Sequence, residues 1–335
     1  MSHLVSVTEI RQAASRLKGV TLRTPLVPLT GTSTVLAEPQ LLIKAESLQP
    51  TGAFKLRGAY SAISALSPPQ RSTGVVAHSS GNHAHAVAYA AALLGVPATV
   101  VVPSNAPAVK VTAARACGAR IVVCEPSLTA RAAAVSELVA SNGYTPIPPF
   151  DHRDVVAGQG TVGLEIVADC PDVDLVVCPV GGGGLISGVA AAITAVRPAA
   201  RVVGVEPELA ADARDSLRQG RRVAWPAERT KRTIADALRV EQVGELPMEH
   251  LRSQVHDIIT VSDDEIRRAM YLLATRARLV AEPGGAVAVA ACLLRPDELP
   301  RASTRVAILS GGNVDPLLLA DVLRAEGTGR AAGAA

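Results

Sequence analysis

Short, uninterrupted runs of apolar residues, such as Leu175 to Val180, constrain the fold of this chain more than any other feature of its sequence. A strand that is apolar on both faces must be covered on both faces, which is typical of a parallel sheet packed between helices. Alanine-rich stretches of helical length alternate with these runs. The alternation predicts an α/β protein with open, mostly parallel sheets flanked by helices.

The same pattern predicts the bounds of the individual elements. Capping boxes at Ser6–Glu9 and Ser262–Glu265 mark two helix starts, and Gly19 can end the first of these helices. Strands are predicted at 40–46, 74–78, 98–103, 120–124, 175–180, 201–206 and 305–310. Further helices are predicted at 56–66, 82–95, 106–117, 128–141, 156–168, 185–197, 263–278 and 284–294.

Composition restricts the class of function. Only one Trp, four Tyr and two Phe occur among 335 residues, so the core must consist of Val, Leu, Ile and Ala, and base-stacking nucleic-acid modules are disfavoured. The formal net charge of +3 is mild and no Lys/Arg run forms a tail, so nucleic-acid and membrane binding have no electrostatic support. Five cysteines without a C-x-x-C pair, no signal peptide and no apolar run of membrane length predict a soluble cytoplasmic protein.

Four loops carry residues suited to chemistry, and the first of them contains Lys55. This lysine, one of five in the chain, lies between Phe54 and Leu56 where a helix begins. Apolar neighbours lower the pKa of a lysine, which favours Schiff-base chemistry. The alternative is a lysine whose amine simply reaches the solvent.

The second loop, His78 to His83, joins an apolar strand to a helix. Backbone N–H groups at a helix start suit a carboxylate or a phosphate. A zinc site formed by His78, His83 and His85 is an alternative, although their spacing matches no common metal pattern. The loop could also be an ordinary capped turn.

The third loop is the glycine run Gly181 to Gly184 between a strand and a helix. Successive glycines let backbone amides close around a phosphate at the helix N-terminus. A dinucleotide site with Glu206 ending the next strand is the rival interpretation, but the G-x-G-x-x-G spacing fails.

The fourth loop, Ser310 to Asn313, follows an apolar strand at the edge where open parallel sheets bind ligands.

Taken together and in this order, the four loops resemble those of the fold-type II pyridoxal-phosphate (PLP) enzymes, specifically the serine/threonine dehydratase and serine racemase group. The matching stretches are Thr51–Gly58, Ser79–His83, Gly181–Leu185 and Ser310–Asn313, with further matches at Ala157–Thr161, Thr233–Asp236 and Glu282-Pro283. The resemblance implies a two-domain fold like that of the tryptophan synthase β chain. Its large domain would comprise 1–65 and 153–325, its small domain 66–152, and 326–335 would be a disordered tail.

The resemblance also implies a role for each loop. Lys55 would bind PLP covalently and, once freed by the substrate amine, would remove the α-proton. Phe54 would pack beside the cofactor ring, Asn82 would bind its hydroxyl group, and Ser310 would face its nitrogen. The phosphate would be held by Gly181, Gly182, Gly183, Gly184 and Leu185. The substrate would be bound by Ser79, Ser80, Gly81 and His83.

These roles imply an ammonia-lyase that converts L-serine or L-threonine to a 2-oxo acid and ammonia. A hydroxyl group at Ser310 makes the ring a weaker electron sink than a carboxylate would, which favours loss of the β-hydroxyl group over transamination. Ser80 permits an alternative, because racemases of this group use a serine here as a second catalytic residue on the ring face opposite the lysine. A threo-3-hydroxyaspartate dehydratase is a related alternative, and an NAD-dependent oxidoreductase is a remote one.

A divalent-cation site is implied by the same resemblance. Glu206, the carbonyl group of Ala210 and Asp212 would be its ligands, and hard oxygen ligands of this kind suit Mg²⁺ or Ca²⁺. The alternative is a solvated acidic turn. The sequence departs from the group at Ala237 and His85, which leaves the substrate open. The expected partners are a small amino-acid substrate and further copies of the chain, as a homodimer or homotetramer.

Overall fold

The computed structural model describes residues 4–29, 40–79, 81–104 and 108–328. Within them the chain forms two β-sheets, each with helices packed against it. The strands are β1 (Leu26–Pro28), β2 (Gln40–Ala45), β3 (Val75–His78), β4 (Ala98–Pro103), β5 (Arg120–Cys124), β6 (Thr145–Pro146), β7 (Leu175–Pro179), β8 (Arg201–Pro207), β9 (Asp257–Val261) and β10 (Thr304–Leu309). The predicted α/β class with mostly parallel sheets is confirmed.

The larger sheet has six strands in the order β1-β2-β10-β7-β8-β9. The short edge strand β1 is antiparallel to β2, and all the other pairs are parallel. Central strand β7 is buried along its whole length, as its apolar sequence predicts.

The smaller sheet has four parallel strands in the order β5-β4-β3-β6. Its strands all fall between residues 75 and 146, whereas the larger sheet takes strands from both sides of that segment. The domain boundaries at 65/66 and 152/153 stay a prediction.

The helices that cover the sheets are α1 (Val7–Leu17), α2 (Lys55–Ser64), α3 (Pro68–Thr73), α4 (Asn82–Leu94), α5 (Ala108–Ala116), α6 (Leu128–Asn142), α7 (Arg153–Asp169), α8 (Gly184–Val196), α9 (Asp212–Gln219), α10 (Ala227–Thr230), α11 (Glu245–Gln254), α12 (Asp263–Leu272), α13 (Pro283–Leu294) and α14 (Pro316–Thr328). Helices α2, α7 and α8 pack closely through glycines. A Cβ on Gly158 would lie 2.5 Å from the Arg57 carbonyl oxygen, and a Cβ on Gly188 would lie 2.3 Å from the Val156 carbonyl oxygen. Gly158, in the 157–161 stretch, and Gly188 thus let these helices approach each other.

One predicted helix end is wrong. The helix predicted at 263–278 is α-helical only to Leu272, because a π-helical turn at Leu273–Ala277 follows and Arg278 adopts a left-handed φ of +61°. Residues 326–328, predicted to be disordered, continue α14, where Arg268 pairs with Glu326 at 3.0 Å. Residues 329–335 lie outside the described part of the chain. Among the described helices, none combines the length and the apolar character needed to cross a bilayer.

Candidate active site

The carboxyl ends of β3, β7 and β10 open into one cleft, which contains a cavity of about 590 Å³. This is the sheet edge at which open parallel sheets bind ligands. All the described residues with a predicted role in cofactor or substrate binding line this cavity, although their individual roles stay predictions. They are Phe54, Lys55, Ser79, Gly81, Asn82, His83, Gly181, Gly182, Gly183, Gly184, Leu185 and Ser310.

Lys55 is the first residue of α2, and its amine points into the cavity. Nζ donates a hydrogen bond to the Pro149 carbonyl oxygen at 2.7 Å and lies 5.0 Å from the centre of the Phe54 ring. Burial lowers the pKa of Lys55 to about 8, although the nearby Glu282 carboxylate acts in the opposite direction. An amine with this pKa is partly unprotonated near neutral pH, as a nucleophile that attacks a carbonyl group must be.

A buried network of charged side chains anchors α2 two residues beyond Lys55. Arg57 donates to both carboxylate oxygens of Glu46 and to both of Glu165, over 2.7–2.9 Å, and Lys44 donates to Glu165 at 2.6 Å. Burial by itself would raise the pKa of Glu46, but Arg57 outweighs burial and lowers it. Removing one member of such a network costs about 3–5 kcal/mol, because a buried charge is left unpaired. The network therefore fixes the helix start that carries Lys55.

The glycine loop 181–184 connects β7 to α8 and has no room for side chains at three positions, Gly182, Gly183 and Gly184. A Cβ on Gly182 would lie 2.2 Å from the Phe150 ring, and a Cβ on Gly184 would lie 2.9 Å from the Phe150 Cα. Gly183 has a φ of +88°, in the left-handed region that other residues rarely adopt. The first N–H groups of α8 have no acceptor within the helix, so the loop can bind a phosphate with backbone amides.

The Ser79–His83 loop leads into α4, and His83 is the most buried of the loop residues that the structure describes, with 3% of its surface exposed. The Nε2–H group of His83 donates to the Ile147 carbonyl oxygen at 2.8 Å. Burial lowers the pKa of His83 to about 3, and the charge of Lys55 acts in the same direction. His83 is therefore neutral near neutral pH, and because Nε2 carries its proton, Nδ1 can only accept a hydrogen bond. Ser80 lies outside the described residues.

The zinc interpretation of the second loop is wrong for the described part of the chain. No cluster of three or more His, Cys, Asp or Glu side chains that could hold a metal ion occurs there. His83 is also engaged with the Ile147 carbonyl group, and the pKa of His78 is lowered by burial and by the charge of Arg131.

The fourth loop lies beside the first. Ser310 is buried, and its carbonyl oxygen accepts a hydrogen bond from the Phe54 N–H group at 3.0 Å. Gly311 forms an antiparallel bridge with Ala53. The two loops, 250 residues apart in the chain, thus hold Ser310 and Lys55 on the same cavity wall.

Several cavity residues carry no role in the sequence-based interpretation. Glu282 accepts a hydrogen bond from Asn82 Nδ2 at 2.6 Å, Phe150 covers Gly182, and Arg131 lies on the wall formed by the smaller sheet. An acidic residue directly before a proline is typical of a helix start. This pattern at Glu282 and Pro283 is the sequence signal that could have identified Glu282. Phe150 and Arg131 have no comparable local signal.

Glu206 and Asp212 lie close together near the carboxyl end of β8. Both side chains are buried, and Glu206 accepts hydrogen bonds from the N–H groups of Ala213 and Arg214 at 3.1 and 2.8 Å. Neither oxygen of Asp212 makes a hydrogen bond of normal geometry, although the amide of Val243 lies close enough to act on its pKa. Burial raises the pKa of both carboxyl groups, that of Asp212 to about 7, and the Asp212 charge adds to the effect on Glu206.

One cleft contains a lysine amine of lowered pKa, a glycine loop at a helix start and several polar side chains. Such a cleft can hold a phosphate-bearing carbonyl cofactor, and it defines the chain as an α/β enzyme. The family model described as "Pyridoxal-phosphate dependent enzyme" matches residues 17–311. The chain belongs to this family, which confirms the resemblance read from the four loops.

Named relatives agree with this assignment. The chain is 42% identical to L-threo-3-hydroxyaspartate ammonia-lyase of Saccharomyces cerevisiae, over 92% of this chain and 93% of that protein. It is also 42% identical to L-threonine ammonia-lyase of Thermotoga maritima, over 93% of this chain and 76% of that protein. Its structure is similar to that of maize serine racemase, with a TM-score of 0.88 at 36% identity, covering 97% of this chain and 99% of the other.

Proposed function

We propose that this chain is a PLP-dependent ammonia-lyase that converts L-serine, L-threonine or a closely related β-hydroxy amino acid to a 2-oxo acid and ammonia. The observation that carries the proposal is the position of the Lys55 amine in the same cavity as the glycine loop and Ser310. Relatives over nearly the whole chain bear the names of ammonia-lyases, which supports the same reaction. Cytoplasmic location stays part of this proposal.

The chemistry that PLP supplies when bound is electron withdrawal from the α-carbon of an amine attached to it. Lys55 would hold the cofactor and then, as a free amine, take the proton from that α-carbon. The amides of the 181–184 loop would bind the phosphate, and Ser310 would contact the ring nitrogen. The substrate loses its α-proton and its β-hydroxyl group, and hydrolysis releases ammonia. Phe54 and Phe150 line the cavity and would limit the access of water.

The test is direct product analysis. Purified enzyme loaded with PLP and incubated with L-serine, L-threonine or threo-3-hydroxyaspartate should release a 2-oxo acid and an equal amount of ammonia. Absence of both products with all three substrates would overturn the proposal. Formation of NADH from added NAD⁺ would instead favour the oxidoreductase.

An acidic substrate is a second candidate, and Arg131 is the observation that favours it. This arginine lies in the cavity wall beside His78, on the side formed by the smaller sheet. A guanidinium group there can pair with a second carboxylate, as threo-3-hydroxyaspartate possesses. We expect Arg131→Met to raise the KM for threo-3-hydroxyaspartate about tenfold or more, because a charge-assisted pair is lost, and to leave the KM for L-serine within about twofold. An equal rise for both substrates would show that Arg131 does not select an acidic side chain.

Racemisation is the third candidate, and Ser80 decides it. Elimination needs one base, whereas racemisation also needs a proton donor on the opposite face of the cofactor, the part assigned to Ser80 by resemblance. We expect Ser80→Ala to abolish the formation of D-serine from L-serine and to leave most of the pyruvate release, measured in one reaction by chiral chromatography. Ser79→Ala is the contrasting variant, because a residue that only binds the substrate should affect both products equally. Equal loss of both products in the Ser80 variant would indicate a role in substrate binding instead.

A divalent cation bound by Glu206 and Asp212 is part of the proposal. The residues fit a hard cation, since two buried carboxylates adjoin each other and both Asp212 oxygens lack a regular partner. The Ala210 carbonyl group and water would complete the ligand set, and the ion would neutralise the paired charges.

We expect EDTA to lower the melting temperature of the protein and Mg²⁺ to restore it, because a ligand that binds only the folded state stabilises that state. Asp212→Asn should remove this response. Glu208→Gln is the control, because Glu208 lies in the same turn but bonds to Arg295 at the surface. An Asp212 variant that responds to EDTA as the wild type does would rule the site out.

Self-association as a dimer or tetramer is also proposed. Leu48 and Val280 are 45% and 48% exposed, and Ser47, the neighbour of Leu48, and the Val280 carbonyl group both lie close to Gly312. Large apolar side chains exposed near one another are typical of a protein–protein contact, which supports the proposal. Sedimentation of the purified protein measures the state directly.

A further inference from the structure

The side-chain amide of Asn82 is held from two sides by residues far away in the chain. Asn313 Nδ2 donates to Asn82 Oδ1 at 2.9 Å, and Asn82 Nδ2 donates to Glu282 Oε1 at 2.6 Å. Asn82 begins α4 beside the smaller sheet, whereas Glu282 precedes α13 and Asn313 follows β10, two elements of the larger sheet and its helical layer. The three side chains therefore bridge the two sheets at the rim of the cavity.

The hydrogen-bonding partners of Asn82 and Asn313 determine the orientation of each side-chain amide, that is, which partner faces its oxygen and which faces its nitrogen. The carbonyl oxygen of Thr51 can only accept a hydrogen bond, and it lies 2.8 Å from Asn313 Nδ2. The amide nitrogen of Asn313 therefore faces both Thr51 and Asn82, so Asn82 must present its oxygen there. A carboxylate is likewise only an acceptor, so Glu282 must face the nitrogen of Asn82. Two independent anchors thus select the same orientation of the Asn82 amide.

We propose that Asn313 and Glu282 are positioning residues that keep Asn82 a hydrogen-bond donor toward the cofactor ring, an inference that rests on the proposed role of Asn82. The Nδ2 group carries two hydrogens and Glu282 takes one, which leaves the other for the oxygen atom of the ring. In the reversed orientation, the Asn82 oxygen would face the Glu282 carboxylate and repel it. It would also present an acceptor to a cofactor oxygen that is stabilised by donors.

Two glycines provide the space that this arrangement needs. A Cβ on Gly52, whose φ is +70°, would lie 2.2 Å from Asn313 Oδ1. A Cβ on Gly311 would lie 2.0 Å from Glu282 Oε1. The first and fourth loops therefore admit the Asn313 and Glu282 side chains only because they carry glycine at these positions. This accounts for glycines that have no part in binding phosphate.

The test is a double-mutant cycle on PLP binding and on the stability of the apoprotein. Asn313→Asp keeps the size of the side chain but puts an acceptor against the Thr51 and Asn82 oxygens, and Asn313→Ala removes the side chain. We expect each variant to weaken PLP binding about tenfold in equilibrium ultrafiltration, and to shift the pH titration of the absorbance of the bound cofactor. In an Asn82→Ala background, Asn313→Ala should weaken PLP binding by less than about a further twofold, because Asn313 acts on the cofactor through Asn82.

The apoprotein gives a readout that does not depend on the cofactor. Asn82→Ala and Asn313→Ala should each lower its melting temperature, and the double variant should lower it by less than the sum of the two single effects, because the bond between the two side chains is lost only once. Equal effects of Asn313→Ala on PLP affinity in the wild-type and Asn82→Ala backgrounds would overturn the proposal, as would an Asn313→Asp variant that behaves like the wild type. PLP binding is measured without turnover, so failure of the lyase assignment would leave these results unchanged.

Discussion

Replacing Lys55 with Ala is expected to lower the rate of 2-oxo acid formation by about 10³-fold or more, because in the proposed function the same amine would hold the cofactor and move the α-proton. The protein should still fold. The charged network behind α2 involves Arg57 and leaves the Lys55 side chain free to change. The Lys55 amine donates to one backbone carbonyl group, that of Pro149. Steady-state kinetics, with circular dichroism as a check on folding, measures the effect.

Covalent attachment provides the second readout for Lys55. Borohydride reduction of the wild type, followed by peptide mapping, should place the pyridoxyl group on Lys55, and Lys231→Ala, at an exposed lysine, should label as the wild type does. Because the pKa of Lys55 is about 8, the unprotonated fraction grows as the pH rises through that value, so attachment to the apoprotein should accelerate there. A pyridoxyl group on Lys44 or Lys110, or an active Lys55→Ala variant, would contradict the assignment.

Local patterning predicts most of the fold, and its failures have physical causes. β7 and the 306–309 part of β10 are buried on both faces, so their sequences are continuously apolar and easy to recognise. β1 and β6 are only three and two residues long and contain proline, so neither shows a periodic pattern. Helix α9 is missed because charged residues dominate it, and its packing against β9 becomes visible only in three dimensions. The π-helical turn after Leu272 has no sequence signal in an otherwise regular apolar pattern.

Some parts of the candidate site can also be predicted from local sequence, whereas others depend on contacts between distant parts of the chain. Each of the four loops is contiguous, so glycines beside a strand end or a lysine between apolar residues can be read directly from the sequence. The partners of those loops cannot be read in this way. Glu282 and Asn313 meet Asn82 across 200 and 231 residues, and their contact depends on how the two sheets are placed relative to each other. The contact of Phe150 with Gly182 is equally hard to predict from the sequence, because only the folded chain brings the two residues together.

The contact between Phe150 and the glycine loop makes Gly182 a position where we expect a single substitution to have a large effect on cofactor binding. Ring carbons of Phe150 would lie 2.2–2.4 Å from a Cβ on Gly182, far inside van der Waals contact. A larger residue must therefore displace Phe150 or the loop itself. Phe150 follows Pro149, which accepts the Lys55 hydrogen bond, so displacement would also disturb the amine. Gly181 differs, because a Cβ there would have its nearest neighbours at 3.4 Å, an ordinary contact with Leu238.

We therefore expect Gly182→Val to weaken PLP retention by about 100-fold, since the backbone amides could no longer approach the phosphate and the loop geometry would be strained. Gly181→Ala, the matched control from the same loop, should retain PLP within about threefold of the wild type, because the added methyl group makes only an ordinary van der Waals contact. Cofactor occupancy after dialysis, read from absorbance per protein, measures both variants. Melting temperatures of the two apoproteins separate lost binding from lost folding. If Gly182→Val kept its cofactor, or if Gly181→Ala lost it to the same extent, the phosphate would not be held by the amides of this loop.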